Sequence, residues 1–223
     1  MLGSATMRRV SGKSYDHYCA LAKALDLVGE RWTLLVVREL IEGPKRYTDL
    51  QEGIPGIATD MLAARLKTLE EAELVERRVL PPPAASTVYE LTPLGHGLEP
   101  TIRELGRWGL HLLGKRKGEA FRVQWSSIWF RIMFRPERFE GPPLVVQFEL
   151  SGEAIHVRMA DGTIETKVGA AEDPDVVIAG DVATLSRAAH DREFAKEAAA
   201  KGRMRTTGTK ENVKRALYLL GLR

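Results

Sequence analysis

The pattern of hydrophobic and polar positions in the first half of the chain predicts two successive helices. A helical period runs over residues 59–72, with three leucines on one stripe: Leu62, Leu66 and Leu69. A shorter helix is expected over 44–50, with Thr48 or Asp49 as its N-cap. The Ile-Pro-Gly sequence at 54–56 ends this shorter helix.

A β-hairpin is expected directly after these helices. Residues 74–80 and 87–91 have the composition of strands, and the segment 81–86, Pro-Pro-Pro-Ala-Ala-Ser, predicts a stiff exposed turn between them. Two short helices followed by a basic hairpin are typical of a winged helix-turn-helix, which lies against a DNA duplex. The order of elements therefore predicts DNA binding.

A long amphipathic helix is expected over 98–113, after the hairpin. Its hydrophobic stripe contains Ile102, Leu105, Trp108 and Leu112. A small winged domain cannot bury this stripe alone. The stripe packs either against its copy in a second subunit, which predicts a homodimer, or against a further domain of the same chain.

The second half of the chain has the pattern of an α+β domain with a mostly antiparallel sheet. An aromatic-rich helix is expected over 121–134. Strands are expected over 144–150, 155–159, 164–168, 176–178 and 202–208. Asp161-Gly162 is a hairpin turn signal, and Asp181 and Asp191 are the expected N-caps of two helices. The stripe of a last helix contains Val213, Leu217 and Leu220.

Length and composition indicate two domains in a reducing cytoplasm. The chain has 223 residues, and a Lys/Arg/Gly-rich link at 115–119 separates the expected domains 15–118 and 119–223. Residues 1–14 are basic without an apolar segment, so we expect a flexible tail rather than a signal peptide. One cysteine excludes an intrachain disulfide framework, and no apolar run is long enough to span a membrane.

A series of ordered motifs covers the first half of the chain. The motifs occupy residues 18–35, 38–40, 43–50, 55–57, 66–71 and 89–95. Together they resemble the HxlR-type transcription regulators, which implies a DNA-binding winged helix-turn-helix. Two positions depart from that pattern. Ala20 stands where the family has a proline after Cys19, and Ala58 stands where the family has a serine cap, so Thr59 is expected to cap the second helix one residue later.

The second helix is the expected recognition helix. Ala63 and Ala64 permit close approach to base edges, and Lys67 is the only basic residue on the outward side. Asp60 either accepts a hydrogen bond from a cytosine amine or favours the helix start, and Arg65 lies on a flank of the helix. The net charge of the whole chain is only +3, so DNA affinity depends on where individual cations are placed.

Phosphate contacts are expected at the start of the first helix and on the hairpin. Arg77 and Arg78 alternate along a strand, so only one of them faces the DNA. The complete set of expected DNA-binding residues is Arg46, Tyr47, Thr48, Thr59, Asp60, Ala63, Ala64, Arg65, Lys67, Arg77 and Arg78.

Two short segments in the second half, 173–181 and 202–208, each with a helix behind it, resemble the sterol-carrier-protein fold. That resemblance implies an apolar tunnel for acyl chains or similar lipids. The expected pocket residues are Trp125, Trp129, Phe130, Met133, Phe148 and Val157. The alternative interpretation is that these side chains form an ordinary filled core.

Cys19 has two interpretations. HxlR-type regulators include redox sensors with a cysteine at this position, which makes Cys19 a possible redox thiol. A reactive thiol needs a nearby cation or helix start, and His17 and Lys23 are the local candidates. The other interpretation is that a lone cysteine on an apolar helix serves packing.

The sequence favours a regulator over an enzyme. The histidines are scattered without metal-ligand spacing or a nucleophile partner, so we expect no catalytic site, metal or cofactor. The expected partners are double-stranded DNA with a pseudo-palindromic operator, a second copy of the chain and a lipid-like effector, without a membrane. The alternative function is a lipid carrier that uses the winged half only for dimerisation.

Overall fold

The computed structural model describes residues 14–83, 85–109, 112, 118–189 and 191–222. The chain divides into two compact units, Met1–Ile102 and Arg103–Arg223. This division falls earlier in the chain than the expected link at 115–119. The expected basic tail falls, apart from its last residue, outside the described residues. Among the described residues, no helix has both the length and the apolar character that crossing a bilayer requires.

The first unit consists of short helices and one hairpin. Its elements are α1 (Ala20–Val28), α2 (Thr33–Ile41), α3 (Tyr47–Gly53), α4 (Thr59–Glu71), β1 (Val75–Val79), β2 (Thr87–Leu91) and α5 (Pro93–His96). The antiparallel hairpin β1–β2 pairs Val75 with Leu91 and Val79 with Thr87. Lys45 adds an isolated bridge to Tyr89 on the other side of β2. The predicted order of two helices and a hairpin is confirmed.

The leucine stripe of α4 lies in the core of the first unit, as its spacing predicts. Leu62, Leu66 and Leu69 are buried there. Three buried residues of α2 belong to the same unit: Val36, Val37 and Leu40. Burial of one such side chain is worth about 1.5–3 kcal/mol, so these leucines fix the rotation of α4 about its axis. The opposite side of α4 is therefore held outward.

Helix α6 (Glu99–Gly109) is shorter in the described residues than the predicted 98–113 helix, and its stripe is only partly buried. Ile102 is buried, whereas Leu105, Trp108 and Leu112 are exposed. Within the second unit, Arg107 in the later part of α6 donates a hydrogen bond to the Ile132 carbonyl oxygen at 3.0 Å. The predicted stripe is therefore divided between one buried and three exposed residues, and its partner stays a prediction.

The second unit is an α+β domain, as predicted. Its elements are α7 (Ser126–Met133), β3 (Leu144–Leu150), β4 (Glu153–Ala160), β5 (Thr163–Val168), β6 (Val176–Gly180), α8 (Val182–Ala188), α9 (Arg192–Ala200), β7 (Met204–Gly208) and α10 (Lys210–Leu219). The strands form one sheet in the order β5-β4-β3-β6-β7, in which only β3 and β6 run parallel. The predicted helix over 121–134 was too long, because a 3-10 turn at Val123–Trp125 precedes α7.

Most local signals in the second unit are confirmed. The carboxylates of Asp181 and Asp191 accept backbone N–H bonds at the starts of α8 and α9, at 2.8 Å and 2.9 Å. Asp161 and Gly162 both have positive φ and join β4 to β5. The stripe predicted for the last helix, Val213, Leu217 and Leu220, is correct only for Leu220. Its buried face contains Ala216, Leu219 and Leu220, and Leu217 and Val213 are half-buried.

Candidate DNA-recognition surface

The outward side of α4 has the composition that the sequence predicts. The exposed residues on this helix are Thr59, Asp60, Ala63, Ala64, Lys67 and Glu71. Ala63 and Ala64 leave a low surface in the middle of the helix, where a base edge can approach the backbone closely. This exposed side is what a helix in a major groove presents to DNA.

Two charged residues on this side of α4 have local partners. Asp60 accepts a hydrogen bond from the backbone N–H of Met61 at 2.9 Å, which favours its role at the helix start. Lys67 lies 3.8 Å from Glu71 one turn later, and its side chain is 77% exposed. An exposed pair at this spacing contributes only about 0.3–0.5 kcal/mol, so Lys67 can exchange Glu71 for a base or phosphate at little cost.

Arg65 lies on a flank of α4, as its spacing predicts. Its side chain is only 14% exposed and its Nη1 lies 3.5 Å from Glu30 Oε2. A contact between Arg65 and DNA stays a prediction.

The turn between α3 and α4 is fixed at Thr59. The Tyr47 hydroxyl donates to the Thr59 carbonyl oxygen at 2.6 Å, and Gln51 Nε2 donates to the Thr59 hydroxyl at 2.8 Å. Burial raises the pKa of the Tyr47 phenol, which keeps this donor protonated. The N-cap position of α4 is Ala58, without a side-chain cap, so the expected capping by Thr59 was wrong. Thr59 instead joins the two helices.

The start of α3 also differs from the predicted capping. Neither Thr48 nor Asp49 occupies the N-cap position, which belongs to Arg46. Asp49 lies three residues later, where its carboxylate accepts the Arg46 backbone N–H at 3.0 Å. The Arg46 side chain extends to the hairpin, and its Nε donates to Ser86 Oγ at 3.2 Å. Arg46 therefore lies where the helix pair and the hairpin meet, and Thr48 is exposed beside it.

Arg77 and Arg78 lie on opposite faces of β1, as their alternation predicts. The Arg77 guanidinium lies 5.7 Å from the centre of the Tyr89 ring across the strand pair. Arg78 makes two hydrogen bonds to the Glu90 carboxylate, at 2.6 Å and 2.7 Å. These bonds hold the pKa of Glu90 below its usual value. Arg78 is thus paired with an acidic residue of β2.

A buried charged cluster around Glu39 in α2 was not predicted. The Glu39 side chain in α2 is 4% exposed, and it binds Arg38 at 2.7 Å and Lys45 at 3.1 Å. A Cβ atom at Gly53 would lie 2.6 Å from Glu39 Oε2, so a side chain at this position would displace the carboxylate. Glu39 therefore ties α2 to the residue that bridges the hairpin. The sequence signal for this cluster was the acidic residue Glu39 next to the apolar residues Val36 and Leu40, which are buried in α2.

The expected pocket residues of the second unit lie in or beside its hydrophobic core. Phe130, Met133, Phe148 and Val157 are buried, and Trp125 and Trp129 are half-buried. The Phe130 ring centre lies 4.4 Å from that of Phe148 and 5.0 Å from that of Trp129. These ring contacts fill the space between α7 and the sheet.

Cys19 occupies the N-cap position of α1, and its side chain is exposed. Its carbonyl oxygen accepts a backbone hydrogen bond from Lys23 at 3.0 Å. His17 and Tyr15 lie just before it, with ring centres 6.3 Å apart. Exposure places the thiol outside the core of the first unit.

Comparison with known proteins identifies the family of the first unit. The family model for HxlR-like helix-turn-helix proteins matches residues 27–117. The HTH-type transcriptional regulator YodB of Bacillus subtilis is 42% identical over 88 residues, which span 40% of this chain and 79% of YodB. An uncharacterized HTH-type transcriptional regulator of the same organism, YvaP, is 34% identical over 86 residues. These residues span 39% of this chain and 80% of YvaP. The crystal structure of quinone-bound YodB from the same organism is 39% identical in sequence to this chain where the two structures superpose. The superposition covers 40% of this chain and 93% of the YodB chain, with a TM-score of 0.35. The chain belongs to the HxlR family of helix-turn-helix transcriptional regulators.

Proposed function

We propose that the protein is a homodimeric regulator that reads a pseudo-palindromic operator with α4 in the major groove. The observation that carries this proposal is the exposed side of α4, where two alanines and Lys67 are held outward by a buried leucine stripe. Arg46 and Thr48 lie at the start of α3, and Arg78 lies on the hairpin. These cationic and polar groups suit phosphate contacts beside a helix that reads bases.

Dimerisation is proposed through α6. Leu105 is 48% exposed, Trp108 61% and Leu112 64%. A helix stripe of this kind, uncovered in one chain, is buried at low cost against its own copy about a two-fold axis. Two copies present two recognition helices, which explains the expected pseudo-palindrome.

The test is a binding selection from random duplex DNA, followed by fluorescence anisotropy at several salt concentrations. We expect enrichment of a sequence with two related half-sites and an affinity that falls linearly with salt on a double-logarithmic plot. Recovery of no preferred sequence, or binding that does not depend on salt, would contradict the proposal.

The finer part of the proposal is that the second unit senses an apolar small molecule. It is supported by the resemblance of its segments to the sterol-carrier fold and by half-buried apolar side chains around its core, among them Phe121, Trp129 and Ile164. Trp129 touches Phe130, so ligand entry beside this ring changes its fluorescence. Titration with fatty acids should give a saturable change, and operator DNA should shift the midpoint, since coupling is reciprocal. A well-folded protein without such a change has an ordinary core there.

A further inference from the structure

Strand β5 forms one edge of the sheet in the second unit. It pairs with β4 on one side, and no strand of the described residues pairs with its other side. An edge strand presents backbone N–H and C=O groups to which a further strand can bind. Four of the six residues of β5 are exposed, and Val168 among them is 52% exposed. This edge therefore leaves apolar surface at the place where a further strand would pair.

Two opposite charges alternate along β5. Glu165 and Lys167 are exposed on the side of the sheet opposite the core, since the alternate residue Ile164 packs against the core. Within the part of the chain that the structure describes, neither charge has an ion-pair partner. Charged residues on an edge strand usually disfavour pairing with another chain, because like charges directly opposite each other are destabilising. Two charges of opposite sign allow a register that avoids this cost.

One antiparallel register of β5 with its own copy joins these residues in complementary pairs. In the register centred on Thr166, Glu165 lies opposite Lys167 of the second copy. In the same register, Ile164 lies opposite Val168 of the second copy, which covers the exposed valine. Registers centred on Glu165 or on Lys167 instead place like charges opposite each other. A slip by one residue sets core-side residues against outer residues, so the pattern selects the register centred on Thr166.

The other edge of the sheet, β7, does not have this self-complementarity. Its only charged residue is Arg205, which lies 3.4 Å from Glu149 of β3. Pairing of β7 with its own copy would join no opposite charges. The edge that suits a second copy of the chain is therefore β5.

We infer that β5 pairs with β5 of the second copy, so that the two sheets join across the two-fold axis of the homodimer, an inference that rests on the proposed function. A six-residue strand pair is too short to bury the roughly 1,200 Å² of a stable interface. The pairing is therefore weak alone and forms once α6 holds two chains at high effective concentration. Within the second unit, α7 lies against both elements. It packs on β5, and a Cβ atom at Gly106 of α6 would lie 2.5 Å from Ile132 Cδ1.

The first test exchanges the charges of β5 and measures dimerisation of the whole protein by sedimentation. Glu165→Lys and Lys167→Glu should each raise the dimer dissociation constant about tenfold, because two cross-strand attractions become repulsions. The double variant Glu165→Lys/Lys167→Glu restores both pairs and should recover the original value. Glu193→Lys is the matched control. It removes an exposed ion pair with Lys196 on α9, which packs at the other edge of the sheet, and should leave dimerisation unchanged.

The second test uses oxidative cross-linking to measure the register. In a Cys19→Ser background, Thr166→Cys places two thiols at the two-fold axis, with their Cβ atoms about 5 Å apart. Mild oxidation should therefore give a covalent dimer. Thr163→Cys is the control on the same strand, because in this register it lies on the order of 20 Å from its copy and should stay uncross-linked. Thermal melts establish that each variant is folded.

The possible failures are distinguishable. Unchanged dimerisation in both single charge variants, or a double variant that is no better than they are, would overturn the inference and leave the proposed α6 dimer intact. Equal cross-linking of Thr166→Cys and Thr163→Cys would overturn the register. A protein that sediments as a monomer at every concentration would instead remove the proposed homodimer, and the inference with it.

Discussion

The Tyr47 hydroxyl donates a hydrogen bond of 2.6 Å to the carbonyl oxygen of Thr59, the first residue of the recognition helix. This bond joins the start of α3 to the start of α4, and Gln51 adds a second bond to the same residue. The angle between the two helices is therefore set at one residue. A regulator that places α4 in a groove needs this angle to be fixed before DNA arrives, because ordering it upon binding costs affinity.

Tyr47→Phe removes this bond and keeps the ring. We expect the free energy of unfolding to fall by about 1 kcal/mol, the typical net value of one hydrogen bond, in urea denaturation followed by circular dichroism. Thr59→Val is the matched variant, since it loses the Gln51 bond and keeps the carbonyl acceptor. If Tyr47→Phe leaves stability unchanged, the bond does not fix the turn.

The ion pair between Arg78 and Glu90 predicts a gain of function. Glu90→Gln removes the charge that competes with phosphate, so affinity should rise for all DNA sequences alike, and the salt dependence should steepen by about one unit if one phosphate contact is gained. Arg78→Ala should lower affinity without changing base preference. Anisotropy titrations across a salt series measure both the affinity and its salt dependence. Unchanged binding in Glu90→Gln would mean that Arg78 does not reach the DNA.

The same pair predicts a pH dependence of stability. The folded pKa of Glu90 lies below its unfolded value because Arg78 binds the charged form. The contribution of Glu90 to the free energy of unfolding is therefore fully present above its unfolded pKa of about 4.3. It is lost as the pH falls from there through the lower folded pKa. Thermal melts of the protein and of Glu90→Gln should differ at neutral pH and converge in acid. A difference that persists in acid would contradict this linkage.

Base preference should depend on the outward side of α4. Lys67→Ala and Ala63→Ser should alter the selected base at one position of each half-site by roughly 1–3 kcal/mol. Arg65→Ala serves as a control, because Arg65 pairs with Glu30 and should affect stability more than preference. Selections that return an unchanged operator for both Lys67→Ala and Ala63→Ser would contradict the assignment of this side to the bases.

The sequence predicted those features that depend on local periodicity. The Leu62, Leu66 and Leu69 stripe follows the helical repeat, and it fixes the outward side of α4. Asp181 and Asp191 cap their helices through bonds only three residues long. These features depend on neighbours in the chain, so the order of residues contains the required information.

Other features depend on tertiary neighbours and could not be predicted. Arg65 is only 14% exposed and pairs with Glu30, which lies between α1 and α2. Thr59 was expected to cap a helix, but its partners Tyr47 and Gln51 come from the preceding helix. The buried charge of Glu39 requires Lys45, whose place beside β2 is known only from the strand pairing. In each case a partner outside the residue's own helix decided the role of the side chain.

Dimeric reading of two half-sites can be measured by hydroxyl-radical footprinting on the selected operator, combined with sedimentation of the complex and of a Leu105→Glu variant. We expect a dimer that protects two half-sites related by a pseudo-dyad, with centres about 34 Å or a small multiple apart. Leu105→Glu places a charge on the exposed α6 stripe and should yield a folded monomer with greatly weakened operator binding. A monomer that protects a single asymmetric site, or a Leu105→Glu protein that still protects both half-sites as a dimer, would rule out dimeric reading through α6.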